Sequence, residues 1–213
     1  MSANRLRAIR ATAMGYVAAV LALSAASGCS SSSTRDRAWG IPLGEWEGSG
    51  TFVYECRSRH GPDGRDECEG QERIVRDYPT TLRIERAVLD GHDVVVLKIL
   101  SSRGDIPHLD NRTDLRVALV ESQQVHPRVR MFRMVAAQFN PSEGERMSYE
   151  PPHDGAYHGV LLQTGDQTVL QLHYQSDFVD TLRFSGSGVD KAGLVQSDEV
   201  GLVHWSERLR RRD

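Results

Sequence analysis

The sequence predicts an all-β domain, an antiparallel sandwich or barrel, placed behind an N-terminal export segment. Three observations carry the β reading. From Trp46 onward the apolar residues recur mostly with period two, turn signals separate the patterned runs, and no long helical stripe interrupts them.

The chain opens "MSANRLRAIRATAMGYVAAVLALSAASGC". Arg5, Arg7 and Arg10 precede a largely apolar run from about Ala11 to Leu23, and small residues lead to Cys29. That is the layout of a secretory signal peptide. The run is shorter than the roughly 20 residues that a comfortable membrane span needs. Residues 1–28 therefore read as a signal peptide, 29–37 as a polar tether and 38–213 as the β domain. "ASGC" resembles the lipobox of bacterial lipoproteins, with Ala26 where Leu is commoner. The resemblance implies a diacylglyceryl group on Cys29, cleavage just before it, and an anchor in the envelope membrane. Ser30 after the cysteine favours the outer membrane where a cell has one. Two buried acyl chains anchor stably without a spanning helix.

Cleavage would remove three arginines and no acid, taking the formal charge from −3 to −6. An acidic domain is a poor partner for nucleic acid, which selects basic faces. The 24 arginines against two lysines read as genome bias.

Two cysteines remain, Cys56 and Cys68. In an exported chain an even pair reads as a disulfide. The intervening "RSRHGPDGRDE" is turn-rich, so the bridge would close a hairpin and contribute about 3 kcal/mol in the loop-entropy picture. A metal site using His60 is the alternative, but no CxxC pair or HxxxH cluster accompanies it.

The strands follow in order: "TFVYEC", "TTLRIERAVL", "HDVVVLKIL", "DLRVALV", "RVRMFRMVAA", "HGVLLQT", "QTVLQLHY" and "DTLRFSG". Asp90-Gly91, Asn140-Pro141, Pro151-Pro152, Gly165-Asp166 and the Gly186–Gly188 region punctuate them. In "RVRMFRM", Val129 and Met131 share one face, Arg130, Phe132 and Met134 the other. In "TVLQLHY", Leu170, Leu172 and Tyr174 oppose Val169, Gln171 and His173. Bulky groups on both faces suit a barrel too wide for a purely apolar interior, or strands packed on both sides.

The stretch "GEWEGSG" turns Gly44, Trp46, Gly48 and Gly50 to one face of a strand. Glycines there permit close approach and sharp bending. Gly-x-Trp before a first strand resembles the entry motif of lipocalins and calycins, and the full G-x-W-x-G-x-G is similar to the signature of nitrobindins. The chain finishes "VGLVHWSERLRRRD". Nitrobindins close on a strand whose histidine ligates haem, and the resemblance places His204 at that position, with haem b as cofactor. Lipocalin-type barrels stack a last-strand arginine on the entry tryptophan, which implies Arg208 or Arg210 against Trp46. The fold so implied is a closed or nearly closed antiparallel calycin-like barrel. Strand alternation adds a condition: if His204 looks inward, Trp205 must look out.

Eight histidines are scattered without metal-ligand spacing, and no nucleophile elbow, P-loop, HExxH or dinucleotide fingerprint is present. No catalytic residue and no metal site is expected. The leading expectation is a lipid-anchored barrel that binds a small apolar ligand in its mouth, with haem as the specific version. The alternative is a structural or interaction lipoprotein whose barrel is filled by side chains.

Overall fold

A computed structural model describes residues 37–55, 73–102, 112–139, 147–149, 157–175, 178–197 and 201–213. Cys29, Cys56 and Cys68 lie outside these, as does the proposed signal peptide. A short hairpin comes first, β1 (Arg37–Ala38) and β2 (Ile41–Pro42). Ten longer strands follow: β3 (Gly44–Glu55), β4 (Arg73–Leu89), β5 (His92–Ser102), β6 (Arg112–His126), β7 (Val129–Phe139), β8 (His158–Thr164), β9 (Gln167–Gln175), β10 (Phe178–Ser185), β11 (Gly188–Ser197) and β12 (Gly201–Arg211). Each of the ten pairs antiparallel with its sequence neighbours, and β12 pairs with β3 to close the ring. No helix occurs among the described residues. The result is a closed ten-stranded meander, consistent with a calycin-like fold.

Closure gives every long strand a hydrogen-bonded neighbour on both sides along at least part of its length. Turn chemistry fixes one end. Asp90 and Gly91 both take positive φ, 49° and 84°, the conformation a tight two-residue hairpin demands. Gly165 and Gly186 start the other glycine turns at φ 60° and 53°. The short turns at 90–91, 127–128, 165–166 and 186–187 all gather at this end. Strands β3, β5, β7, β9 and β11 run toward the opposite end, where the chain leaves the described residues.

The β1–β2 hairpin stoppers the turn end. Its own turn, Trp39–Gly40, has φ 52° and 91°, and Ala38 and Ile41 are fully buried among the barrel's inward side chains. Trp39 sits 6.3 Å from the Phe132 ring. Arg37 Nη1 donates to Thr168 Oγ1 at 3.3 Å, and Arg86 Nη2 donates to the Arg37 carbonyl at 2.7 Å.

Alternation along each strand divides inside from outside. One apolar cluster fills the half of the interior nearer the turns, with Trp46, Leu82, Leu97, Val117, Phe132 and Leu172 among its members. A second, Phe52, Tyr54, Tyr78, Val203 and Trp205, lies toward the other end. A third explains why β5 reads as continuously apolar. Val94 and Val96 point out of the barrel, where they meet Ala118 and Val135 under Met147 and Tyr149. Tyr149 is held there by a hydrogen bond from its N–H to Asp90 Oδ2 at 2.7 Å and by stacking on His92 at 4.0 Å. Both sources of two-faced bulk expected from the sequence are thus present.

Candidate functional site

The glycine–tryptophan stretch builds the seam of the barrel. Trp46, Gly48 and Gly50 face inward, opposite Arg211, Leu209 and Glu207 of β12. A Cβ on Gly48 would stand 2.0 Å from the Arg208 carbonyl oxygen, and one on Gly50 would stand 2.6 Å from Cγ of Glu207. Only glycine lets β12 come this close. Gly44 adopts φ +148° and lies against the Arg211 guanidinium, which a Cβ would approach to 3.3 Å. Trp46 is buried, edge-on to Phe184 at 5.7 Å.

The arginine over Trp46 is Arg211, its guanidinium carbon 5.8 Å from the ring centroid, with Nη2 donating to the Leu43 carbonyl at 3.1 Å. This corrects the expectation of Arg208 or Arg210. Arg208 is opposite Ser49 and points outward, and its Nε meets Asp190 at 3.3 Å. The choice of arginine depends on the β12–β3 register, which no local turn sets.

His204 also faces away from the interior. Trp205 is inside, 6 % exposed, donating from Nε1 to Asp180 Oδ1 at 3.0 Å. Alternation then turns His204 outward, beside Val53 and Leu194. The inward positions flanking it belong to Val203 and Trp205, packed with Phe52. These residues do not fit a haem held inside the barrel on His204.

Between the two inner apolar clusters lies a charged layer. Lys191 Nζ is 3.1 Å from Glu207 Oε1 and 3.7 Å from Asp180 Oδ1, and all three residues are at most 4 % exposed. Tyr78 donates its hydroxyl to Glu207 Oε1 at 2.7 Å, Thr80 to Oε2 at 3.3 Å, and Tyr174 to Asp180 Oδ2 at 3.3 Å. Thr80 and Ser101 share a further bond at 3.0 Å. Lys191 also stands 5.5 Å over the Trp205 ring, and Gly193 makes room for that indole, since a Cβ there would lie 2.1 Å from it. Two carboxylates share one ammonium. Burial, reinforced by the charge on Glu207, pushes the Asp180 carboxyl above its ordinary range despite Lys191 and the indole and phenol donors. Burial, with Asp180 beside it, likewise raises the Tyr174 phenol. Each charged atom here finds its partner within the layer.

Two features of the outer face were not expected. His158 and His173 are register partners across β8 and β9, their rings 4.6 Å apart and nearly parallel. Burial, then the neighbouring His158, lowers the His173 pKa. The Gly165-Asp166 turn carries this information: counting outward from Thr164 opposite Gln167 brings His158 opposite His173. Among the described residues no three His, Cys, Asp or Glu side chains gather as a metal site. The second feature is an open groove of about 850 Å³ across β10, β11, β12 and β3, lined by Thr51, Asp77, Thr181, Arg183, Ser206 and Arg208 among others.

These features define a class: a closed meander barrel with a salt-bridged interior and a polar external groove. No family model, curated protein or solved structure matches the chain.

Proposed function

We propose that the protein is a lipid-anchored lipoprotein of the bacterial envelope whose barrel is filled by its own side chains and serves as an interaction scaffold. One observation carries the choice of a filled barrel over a ligand-holding one. Inward residues from all ten long strands pack together, and the charged ones among them are paired within the layer around Lys191. An apolar ligand would have to displace buried side chains and strip a polar layer of partners, which costs several kcal/mol per buried charge. The anchor rests on the sequence: the basic front, the short apolar run and "ASGC" ending at Cys29. The Cys56–Cys68 bridge belongs to the same reading of an exported chain.

Native mass spectrometry of protein extracted from its own membrane should find the acylated chain with nothing retained. A co-purifying apolar molecule would restore the ligand-binding reading. Titration with hemin should leave the free-hemin spectrum unchanged, in the parent and in His204→Ala alike. Cys29→Ala should release the chain from membranes, and tight attachment of that variant would mean that the N-terminal segment is kept as an anchor. A free-thiol count without reductant should find none at Cys56 and Cys68.

A further inference from the structure

The end of the barrel that carries the short turns is also the end at which the chain enters the described fold. Arg37 is fixed there by its bond to Thr168 at 3.3 Å and by Arg86, which donates to its carbonyl at 2.7 Å. Eight residue steps, from 29 to 37, separate it from Cys29. At about 3.6 Å per extended step they span at most about 29 Å. β12, eleven residues long, rises about 25 Å along the barrel axis at a tilt of about 40°. An acylated Cys29 therefore holds the turn end toward the bilayer, because an inverted barrel would use almost the whole tether to run its own height.

Among the described residues, the most exposed large apolar side chains are Val88 at 65 % and Val125 at 56 %. Both stand beside turns of this end, at 90–91 and 127–128. Where the chain enters lies a pocket of about 340 Å³, lined by Arg37, Arg128, Gln163, Asp166 and Gln167 among others. Arg128 and Asp166 are exposed, and neither side chain is held in an ion pair among the described residues. Arg37 spends Nη1 on the Gly40 carbonyl and Thr168 and keeps its other donors. Elsewhere the rim is balanced in charge. Arg212 meets Glu47 at 3.8 Å and Arg83 meets Glu45 at 3.3 Å, while Asp90, Asp93 and Asp213 offset Arg86, Arg130 and Arg210. Any selectivity for headgroup charge is therefore local to the pocket.

The geometry points to the turn end as a membrane-facing surface whose pocket takes a phospholipid headgroup in which a phosphate and an ammonium adjoin. A guanidinium presents a planar fork of N–H donors suited to phosphate oxygens. With Arg37 and Arg128 on the phosphate, Asp166 is left to receive the ammonium. A headgroup with a phosphate and no ammonium would leave that carboxylate unmatched beside a like charge. Val88 and Val125 add apolar contact at the headgroup boundary. The opposite end, where the chain leaves the described residues, then points away from the bilayer and is the end offered to partners. The inference rests on the anchor reading and names the surface and the lipid chemistry that go with it.

The test uses the full acylated chain in nanodiscs of phosphatidylethanolamine with a trace of lipid bearing a gadolinium chelate on its headgroup. NMR line broadening of backbone amides should be strongest at the turns 90–91, 127–128 and 165–166 and weakest at Ser102, Arg112 and Gly201. A reversed gradient, or one running around the barrel's circumference, overturns the inference. In discs without gadolinium, exchanging a phosphate-free galactolipid for phosphatidylethanolamine should shift the amides of Gly165 to Thr168. Arg128→Glu, at an exposed position, should lose that shift, and a variant that keeps it in full overturns the pocket assignment. Phosphatidylglycerol, which has no ammonium, should shift these amides less, and an equal shift overturns the headgroup chemistry. Inorganic phosphate added to galactolipid discs should shift nothing there; the same shift would mark a free-anion site and overturn the inference too. A mature chain found without acyl groups by mass spectrometry would defeat the anchor reading, while the lipid-dependent shifts at Gly165 to Thr168 decide the pocket separately.

Discussion

Replacing Lys191 with methionine removes the ammonium that Asp180 and Glu207 share, at nearly constant volume. The contacts are 3.1 Å and 3.7 Å, and the three side chains are at most 4 % exposed, so solvent screens little of the loss. Breaking a buried pair of this kind from one side costs about 3–5 kcal/mol, because a charge is stranded. For a domain of this size each kcal/mol moves the melting midpoint by about 2–4 °C, giving a fall of roughly 6–20 °C. The pH dependence identifies the cause. Lys191 is the strongest of the influences that hold the raised Asp180 carboxyl down. Without it, the folded carboxyl should titrate higher still. A group whose folded pKa is raised contributes stability that is complete below its unfolded pKa and is lost as pH rises through the folded one. The variant should therefore recover part of its deficit when the pH is lowered from about 7 to about 5, as Asp180 takes up a proton. Thermal melts followed by circular dichroism at both values measure this. A deficit under about 1 kcal/mol near neutrality, or one of equal size at both values, would refute the reasoning.

Gly48→Ala should open the β3–β12 seam, because its Cβ meets backbone at 2.0 Å, whereas Gly188→Ala, with nearest atoms at 3.6 Å, should fold normally. Denaturant melts should separate the two by at least about 2 kcal/mol. Arg211→Ala should cost about 1–2 kcal/mol through the lost contact with Trp46 and the lost bond to Leu43, read as a shift in the urea midpoint with unchanged slope. His158→Gln should move the His173 pKa upward in an NMR titration, since His158 contributes to lowering it. Because the folded His173 pKa is depressed, folding gains stability as pH rises from that value to the ordinary imidazole range. That gain should shrink in the variant.

The barrel was legible because period-two alternation and two-residue turns are local. Asp90-Gly91, Gly165-Asp166 and Gly186 are where the sequence places them, and the inward set Trp46, Gly48 and Gly50 follows from alternation alone. What was missed depends on pairing between distant strands. Whether Arg208, Arg210 or Arg211 meets Trp46 is decided by a register joining the first and last long strands. Trp205 settles the direction of His204, yet nothing adjacent shows that this indole has Asp180 and Gly193 to receive it. The charged layer did leave a trace. Asp180, Lys191 and Glu207 each occupy the apolar phase of their strands, beside Leu182, Val189 and Leu209. Three ionisable groups on inward phases of consecutive strands are a signature of mutual pairing. The β1–β2 stopper had no such trace, since four strand residues give no period to read.

The contact between β3 and β12 also governs when this molecule can become itself. More than 140 residues of chain separate the two strands, so the ring is completed by its most distant pairing, the kind of topology that folds in milliseconds to seconds rather than microseconds. Until β12 has emerged, β3 keeps an unsatisfied edge and Trp46 lacks its guanidinium lid. The seam is thus reserved for the last strand of the ring to be made.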